Sequence, residues 1–326
     1  MKRTLGKSEI EVSAMGLGCW AIGGQFWLMD GKADGWGQID DHESIRAIRR
    51  GIELGVTLFD TADVYGTGHS ERILAQGVEG QRDQVVIATK FSYTFDEETK
   101  RATGLDMSPT YIRQACEASL RRLNTDYIDL YQLHHGGATP DEANVVADTL
   151  EQLRKEGHIR AYAWSTDDPQ NAEMWAEQAH CVAVQHDMNV LRDAREIVAV
   201  CEQHQLASLN RSPLASGFLS GKYTAGTVMS KDDFRGAGHE WVAYFENGRP
   251  KQEFIDKLTA VREILTSNGR SLVQGALAWL WARSNNTIPI PGFKTVKHVE
   301  ENCAAMQFGP LTSEQLQEIE TLLGRV

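Results

Sequence analysis

The chain has 326 residues, of which 41% are hydrophobic, and this supplies a substantial core for one large domain or two modest ones. Lys and Arg number 33 against 45 Asp and Glu, and the formal charge of −12 excludes bulk attraction to nucleic acid or to an anionic membrane surface. The five cysteines are widely spaced along the chain, which excludes the short paired spacings of a zinc site or a disulfide framework. We therefore expect reduced core thiols and no bound metal.

Short apolar runs alternate along the chain with longer amphipathic stretches. This alternation favours parallel strands that are joined by crossover helices. We predict strands at 14–17, 56–60, 85–90, 127–134, 159–165, 182–185, 207–211 and 287–291. We predict helices at 41–54, 70–78, 108–123, 141–156, 169–178, 192–203 and 271–282. Roughly eight β/α pairs close such a sheet, so the expected fold class is α/β, a (β/α)8 TIM barrel.

Four segments lie outside a minimal barrel. We predict an N-terminal β-hairpin over the closed bottom, two long loops at the C-terminal face and a C-terminal helix. These segments lie at 3–12, 23–37, 223–250 and 312–323, in that order. The alternation is never interrupted by a linker, so residues 1–326 are expected to form a single barrel domain.

Four polar side chains, Asp60, Tyr65, Lys90 and His134, lie at or just beyond the downstream ends of predicted strands. In a parallel α/β barrel these strand ends meet at the face that bears the chemistry. An unperturbed tyrosine has a pKa of about 10, which makes it a reluctant acid near neutrality. A lysine ammonium would lower that pKa, an aspartate would hold the ammonium, and a neutral imidazole would orient a carbonyl. Together they predict proton donation to a carbonyl oxygen during hydride reduction.

Four other motifs are similar to those of different protein classes, but their spacing or their neighbouring residues do not fit those classes. Gly16-Leu-Gly-Cys-Trp-Ala21 is similar to a dinucleotide fingerprint, but it leads into an aromatic loop instead of a helix. The glycines of residues 217–222 are one residue too close for a phosphate-binding loop. His134 and His135 are adjacent, and neighbouring strand residues point to opposite faces, which disfavours a shared metal ion. Ser165 lacks the Gly-x-Ser-x-Gly elbow of a nucleophile.

The four polar residues belong to a set of ordered motifs that covers almost the whole chain. The motifs are Phe59-Asp-Thr-Ala-Asp-Val-Tyr-Gly66 with Ser70-Glu71, Ala88-Thr-Lys90, Asp129-Leu-Tyr-Gln-Leu-His134, residues 185–189, Ser212-Pro-Leu-Ala-Ser-Gly217, and residues 290–302. With these motifs the chain resembles an aldo-keto reductase. The resemblance implies that Asp60, Tyr65, Lys90 and His134 form the family's catalytic tetrad.

The resemblance also implies NADPH or NADP as the cofactor, with NADH less favoured, bound extended across the barrel without a Rossmann domain. Ser165 and Gln185 are expected to hydrogen-bond the carboxamide, and Lys294 to contact the adenosine 2′-phosphate. Alternatively, Lys294 is a solvated lysine of a surface helix, where a charge contributes little. The other expected cofactor contacts are Arg211, Ser212, Leu214, Ser216, Gly217, Leu219, Lys222, Gly292, His298, Glu301 and Asn302.

Two positions depart from the family pattern. Arg211 occupies the position of an aromatic residue that stacks on the nicotinamide, and Thr166 replaces an asparagine after Ser165. A guanidinium can stack on a flat ring, but oxidised nicotinamide is itself cationic. Arg211 could therefore disfavour the oxidised state or contact phosphate instead.

Aromatic residues are expected to line the substrate pocket. They are Trp20, Phe26, Trp27 and Trp36 of the first long loop, then Phe91 and Tyr93, joined by His135. Such side chains favour apolar or ring-bearing carbonyl compounds, although the apolar faces of sugars also stack on tryptophan. Packing beneath a lid is the alternative role for each tryptophan.

We therefore expect an NADP(H)-dependent oxidoreductase that reduces aldehydes or ketones to alcohols, with Tyr65 as general acid and the reverse oxidation open. The alternative is a nicotinamide-binding regulatory or redox-sensing barrel with little turnover, and a hydrolase is a third hypothesis. The expected partner is a small carbonyl or sugar-like substrate, with no nucleic acid and no membrane, and a homo-oligomer stays open. No apolar run reaches membrane-spanning length and the N-terminus lacks an export signal, so the expected location is cytoplasmic.

Overall fold

The computed structural model describes residues 1–325, in which each strand of the barrel is followed along the chain by at least one helix. The strands are β1 (Lys2–Thr4), β2 (Glu11–Ser13), β3 (Gly16–Gly18), β4 (Leu58–Asp60), β5 (Val86–Phe91), β6 (Tyr93–Asp96), β7 (Arg101–Leu105), β8 (Ile128–Leu133), β9 (Ile159–Ser165), β10 (Cys181–Asp187), β11 (Ala207–Arg211), β12 (Phe245–Glu246), β13 (Arg249–Pro250) and β14 (Thr287–Pro289). The helices are α1 (Asp41–Glu53), α2 (His69–Gly77), α3 (Pro109–Leu123), α4 (Pro140–Lys155), α5 (Pro169–Ala176), α6 (Arg195–Gln203), α7 (Gln252–Leu265), α8 (Leu272–Arg283), α9 (Val296–Ala304) and α10 (Ser313–Leu322).

One parallel sheet of eight strands forms the barrel. Its strands follow the order β3, β4, β5, β8, β9, β10, β11 and β14. The Gly18 amide donates to the Pro291 carbonyl at 3.0 Å, and Gly18 also forms a parallel bridge with Gly292. These contacts join the first strand to the segment after the last one. The predicted (β/α)8 TIM barrel is confirmed.

The barrel interior changes from apolar to polar along the strands. Leu58 and Ala88 lie in the apolar cluster that fills the barrel. Asp60 and Lys90 follow each of them by two residues, so they point to the same interior side at the C-terminal ends of β4 and β5. The period of two therefore places buried charges directly above the apolar layer.

The N-terminal hairpin covers the opposite end of the barrel. β1 and β2 pair in antiparallel register from Lys2 to Ser13. Leu5, Ile10 and Val12 belong to the same apolar cluster as the barrel interior. The hairpin therefore seals the N-terminal end of the barrel, as predicted, and leaves the C-terminal face for the functional site.

Local capping signals position several of the outer helices. Ser108 accepts a hydrogen bond from the Tyr111 amide at the start of α3, with proline at the first helical position. Thr312 and Gln315 form a reciprocal capping box at the start of α10, which confirms the predicted C-terminal helix. Within residues 1–325, no helix combines the length and the apolar character that crossing a bilayer requires.

The two long loops pack against each other over the C-terminal face. The Phe234 amide donates to the Gly35 carbonyl at 3.0 Å, and the backbones of Trp36 and Asp233 form an isolated antiparallel β-bridge. Arg235 lies over the Trp36 ring with 4.6 Å to its centroid. These contacts tie loop 23–37 to loop 223–250 beside the end of the barrel where the polar residues lie.

Candidate active site

The structure brings the four predicted catalytic residues together at the C-terminal face. Asp60 ends β4, Lys90 lies one residue before the end of β5, and His134 directly follows β8. Tyr65 lies in the turn between β4 and α2. Strand ends on one face of a barrel converge, which explains how residues far apart in sequence meet.

Lys90 is the centre of this cluster. Its Nζ donates to Asp60 Oδ1 at 2.6 Å, to the Thr61 carbonyl at 2.7 Å and to the Tyr65 hydroxyl at 3.3 Å. The side chain is fully buried, and burial lowers its pKa. Asp60 and Tyr65 oppose that effect and leave the pKa of Lys90 above its ordinary value. Lys90 is therefore an ammonium in direct contact with the phenol.

Two glutamines fix the Asp60 carboxylate. Gln132 and Gln185 each donate an amide N–H to Asp60 Oδ2, at 2.9 and 2.8 Å, while Oδ1 receives Lys90. Asp60 therefore has a partner for both oxygens although it is buried. Gln132 was not predicted as a site residue. Its position two residues after the inward-facing Leu130 of β8 is the signal that could have found it.

The pKa of Tyr65 is governed first by burial. Burial raises it above its ordinary value, and Lys90 only partly opposes that rise because Asp60 offsets the lysine charge. The net direction differs from the expectation that lysine lowers this pKa. The phenol lies against Trp20, with ring centroids 6.1 Å apart, which explains its desolvation. Tyr65 consequently keeps its proton at neutral pH, as an acid catalyst must.

His134 is a neutral imidazole. Burial lowers its pKa well below the ordinary value, and the charges of Lys90 and Arg211 lower it further. The ring edge lies near Tyr65, with centroids 5.7 Å apart. Its buried Nδ1 has no hydrogen-bond partner within residues 1–325. The ring can therefore orient a substrate oxygen without carrying charge.

A cavity of about 1280 Å³ opens above this cluster. Asp60, Tyr65 and His134 line it, and Lys90 lies below them with its side chain fully buried. All the predicted cofactor contacts except Leu219 line the same cavity: Ser165, Gln185, Arg211, Ser212, Leu214, Ser216, Gly217, Lys222, Gly292, Lys294, His298, Glu301 and Asn302. Leu219 is fully buried in the apolar core after a tight turn, so its side chain does not reach the cavity.

Positive charge is concentrated at the side of the cavity near α9. Lys294 donates its ammonium to the Trp36 carbonyl, and its backbone amide donates to His298 Nδ1 at 3.3 Å. Burial lowers the pKa of Lys294, as do Arg235 and Lys222, while Asp233 opposes them. Positively charged groups that lower one another's pKa in this way favour the binding of an anion between them.

The loop after β11 has a strained backbone. Ser212, Ala215 and Ser216 have φ values of 51, 49 and 56°, in the left-handed region that residues other than glycine rarely adopt. Arg235 donates to the Ser216 carbonyl at 3.2 Å and so holds the loop. Strain of this kind is concentrated at functional sites, where surrounding contacts fix it.

Comparison with known proteins decides the family. The Aldo/keto reductase family model matches residues 14–323. The chain belongs to this family. Its predicted membership is thereby confirmed.

Three similar members illustrate the range of the family. Pyridoxal reductase, chloroplastic, of Arabidopsis thaliana is 31% identical over 329 residues, which cover 94% of this chain and 82% of that protein. The holo form of an aldo-keto reductase from Bacillus halodurans superposes with a TM-score of 0.80 at 28% identity and covers 100% of this chain and 97% of its own. An aldo-keto reductase from Klebsiella pneumoniae, solved in complex with NADPH, has a TM-score of 0.72 at 25% identity, with 99% and 95% covered.

This aldo-keto reductase has a charge pair at the position of the expected stacking aromatic. Arg211 ends β11, lines the cavity and pairs with the Asp167 carboxylate, which also accepts the Asp187 amide at 2.7 Å. Burial lowers the pKa of Arg211, but Asp167 and Asp187 raise it above its ordinary value. The guanidinium is therefore charged and partly compensated where the family pattern has an uncharged ring. Asp167 was not predicted as a site residue.

The aromatic side chains divide into two groups. Trp20, Trp36 and Tyr93 line the cavity, as expected. Trp27, Phe91 and His135 do not line it, and neither does Phe26. Phe91 packs on Tyr131 outside the barrel interior, with ring centroids 4.6 Å apart, and Trp27 pairs with the β6–β7 hairpin through Arg101. His135 is held by its backbone carbonyl, which accepts the Trp164 indole N–H at 2.9 Å.

Sequence reasoning missed Asp34, Leu28 and Trp241, which do line the cavity.

Proposed function

We propose that this protein is an NADP(H)-dependent reductase that converts aldehydes or ketones to alcohols, with Tyr65 as the general acid. The observation that carries the proposal is the chain of contacts Asp60–Lys90–Tyr65, with distances of 2.6 and 3.3 Å, at the floor of the large cavity. Family membership and the NADPH complex of a similar protein support the cofactor. The reverse oxidation uses the same groups.

The residues around the cavity fit a phosphorylated dinucleotide. Lys222, Lys294 and His298 supply positive charge or N–H donors at one side, and the strained loop 212–217 lies beside them. Ser165 ends β9 and Gln185 lies near the end of β10, and both line the cavity. The Ser165 hydroxyl can donate to or accept from a carboxamide, whereas the amide nitrogen of Gln185 is bonded to Asp60 and Gln132, so its carbonyl oxygen is the group that can accept. When bound in this way, the cofactor would supply the hydride for reduction of the carbonyl carbon.

The side chains of the tetrad transfer a proton to the substrate oxygen and stabilise the charge that results. As negative charge develops on the substrate oxygen, the Tyr65 hydroxyl transfers its proton to that oxygen and becomes a phenolate. The Lys90 ammonium, 3.3 Å away, stabilises the phenolate, and Asp60 keeps the ammonium in place. The neutral His134 ring hydrogen-bonds the same oxygen and fixes its orientation.

The Tyr65→Phe variant tests the proposed acid. Only the transferable proton is removed, so we expect NADPH affinity to be retained while carbonyl reduction falls about 10²–10⁴-fold. NADPH binding is measured by tryptophan fluorescence, and turnover by loss of reduced-nicotinamide absorbance with a panel of aldehydes that includes pyridoxal, the substrate named for the plant relative. Tyr93→Phe is the matched control, because Tyr93 lines the same cavity but is not bonded to Lys90.

The outcomes separate the hypotheses. Near-normal turnover in Tyr65→Phe contradicts the assigned acid. A wild-type protein that binds NADPH tightly but reduces no carbonyl in the panel supports the regulatory alternative instead. Turnover without added nucleotide that is lost on chelation would support a hydrolase.

A further inference from the structure

The cavity contains a carboxylate for which the proposed chemistry has no use. Asp34, from the first long loop, lines the cavity, and its carbonyl accepts the indole N–H of Trp20, the ring that lies against Tyr65. Its charge contributes to raising the pKa of both phenols, which places it within electrostatic reach of the reacting proton.

Asp34 has no compensating cation. Its side chain is only 13% exposed, and its Oδ1 has no hydrogen-bond partner within residues 1–325. Among those residues, His239 is the basic side chain within 4.0 Å, with its Nε2 3.9 Å from Oδ1, and this nitrogen donates to the Ala33 carbonyl at 2.7 Å. Burial raises the pKa of Asp34 well above its ordinary value, and Asp30 adds to the rise. A carboxylate in this situation is stabilised by an incoming positive charge.

Three other cations of the cavity have partners of their own. Arg211 pairs with Asp167, and Arg235 pairs with Asp233. Lys294 is directed to the Trp36 carbonyl. None of these three is paired with Asp34 in the described chain. The Asp34 carboxyl is therefore free to act on a ligand, and an incoming cation would favour its ionised form.

Aromatic rings surround the same part of the cavity. Trp20, Trp36 and Trp241 all line it, and the Trp20 indole N–H donates to the Asp34 carbonyl at 3.1 Å, which fixes the loop against the ring. Trp20 lies 5.5 Å from Trp36 and 6.1 Å from Trp241 between ring centroids. Arg235 already lies over the Trp36 ring, so Trp20 and Trp241 are the rings of this group that are left to attract a ligand cation. A cation beside Asp34 would also stabilise the ionised carboxylate, which a neutral hydroxyl group would do much less.

We propose that Asp34, Trp20 and Trp241 form a subsite for a positively charged nitrogen, so that the preferred substrates are aldehydes or ketones with an ammonium or pyridinium group remote from the carbonyl. The inference rests on the proposed function, because the carbonyl of such a substrate is placed at Tyr65. It assigns to Asp34 a role in substrate specificity and none in proton transfer.

The test compares two aldehydes of nearly equal shape. 4-(Trimethylammonio)benzaldehyde carries the cation, and 4-tert-butylbenzaldehyde is its neutral counterpart. The ratio of their kcat/KM values is measured for the wild type and for Asp34→Asn, so that the different intrinsic reactivity of the two aldehydes cancels between proteins. We expect the cationic preference to fall about tenfold or more in Asp34→Asn. Asp30→Asn is the control, because it removes the same charge from an exposed position of the same loop. Asp30 only raises the pKa of Asp34, so its removal should leave the cationic preference in place.

Binding is measured separately from turnover. The two corresponding benzyl alcohols are titrated against the protein with NADP present, and the quenching of tryptophan fluorescence gives their affinities. A preference for the cationic alcohol that disappears in Asp34→Asn supports the inference even if no aldehyde is reduced, in which case the proposed function fails alone. Unchanged ratios in Asp34→Asn overturn the inference while leaving the reductase intact.

A further measurement needs no variant. 4-Carboxybenzaldehyde carries the opposite charge, and the wild-type protein should bind it more weakly than the neutral aldehyde because Asp34 repels it. Tighter binding of this anion than of the cationic aldehyde would contradict the subsite.

Discussion

At the scale of single residues, the acidity of Tyr65 is set by a balance of burial and charge. Lys90 stabilises a phenolate, but Asp60, at 2.6 Å from the ammonium, offsets much of that charge. The phenol therefore stays protonated until negative charge develops beside it on the substrate. A lysine without the aspartate would lower the pKa further and would leave less proton to donate at neutral pH. The aspartate thus tunes the acid as well as holding the lysine.

Lys294 provides a prediction about cofactor choice at the same scale. An ammonium bonded to a phosphate contributes about 1.5–3 kcal/mol, so Lys294→Ala should raise the Kd for NADPH about tenfold or more and the Kd for NADH much less. Lys297→Ala, an exposed lysine on α9 that does not line the cavity, is the control. Both affinities are measured by fluorescence titration. An equal loss for the two nucleotides would remove Lys294 as the group that distinguishes them.

The site residues at the ends of barrel strands could be predicted from the sequence, whereas those on the long loops could be predicted only in part, since Trp36 was expected at the cavity but Asp34 and Trp241 were not. Lys90 and Asp60 are at strand ends, where the barrel fixes their location. Phe91 was expected to line the pocket. In a strand the neighbour of the inward-facing Lys90 points outward to the helices, and this is where Phe91 packs. Asp34 and Trp241 lie on separate loops whose meeting depends on long-range packing. No spacing in the sequence indicates that they share one cavity.

At the scale of elements, helices with a local signal were predicted best. Ser108-Pro109 and Thr312 mark helix starts through capping that depends only on nearby residues. Helix α7 and the β6–β7 hairpin were not predicted, since they lie in segments that the simple strand–helix alternation assigns to connections, and a helix in the region of α9 was considered only as the alternative environment of Lys294. The apolar positions Phe254, Leu258 and Val261 of α7 do have helical spacing. Helical spacing of apolar residues therefore also indicates helices within the longer connections of a barrel.

The packing of α7 against α8 gives a prediction of stability. A Cβ at Gly275 would lie 2.0 Å from the Leu265 carbonyl oxygen, so the backbone of one helix must move. Alanine is favoured over glycine within a helix by about 1 kcal/mol, but overpacking costs about 1–3 kcal/mol, and here the obstacle is backbone. We expect Gly275→Ala to lower the free energy of unfolding, measured by urea denaturation.

The control for this substitution is Gly226→Ala in the exposed loop. The nearest atom to its added Cβ is the Thr224 hydroxyl at 3.9 Å, so the change should stay within about 0.5 kcal/mol. A Gly275→Ala variant as stable as the wild type would mean that α7 and α8 are not packed as closely as described.

At the scale of the whole molecule, the candidate cofactor site lies across the closure of the barrel. Gly18 of the first strand and Gly292 after the last strand form the bridge that closes the sheet, and both line the cavity together with Arg211. A dinucleotide bound there would contact residues from both ends of the sequence. Binding and barrel closure should therefore stabilise each other.

This coupling predicts how the protein responds to heat. If residues 1–326 form one domain, as we propose, unfolding should show a single transition that NADPH moves to higher temperature as a whole. At a concentration about 100 times the Kd, binding to the folded state alone adds about 2.7 kcal/mol of stability. Calorimetry with NADPH, with NADH and with the Lys294→Ala variant measures the shift, which should be smaller in the two comparisons. Two transitions of which only one responds to NADPH would instead divide the chain into separately folding units.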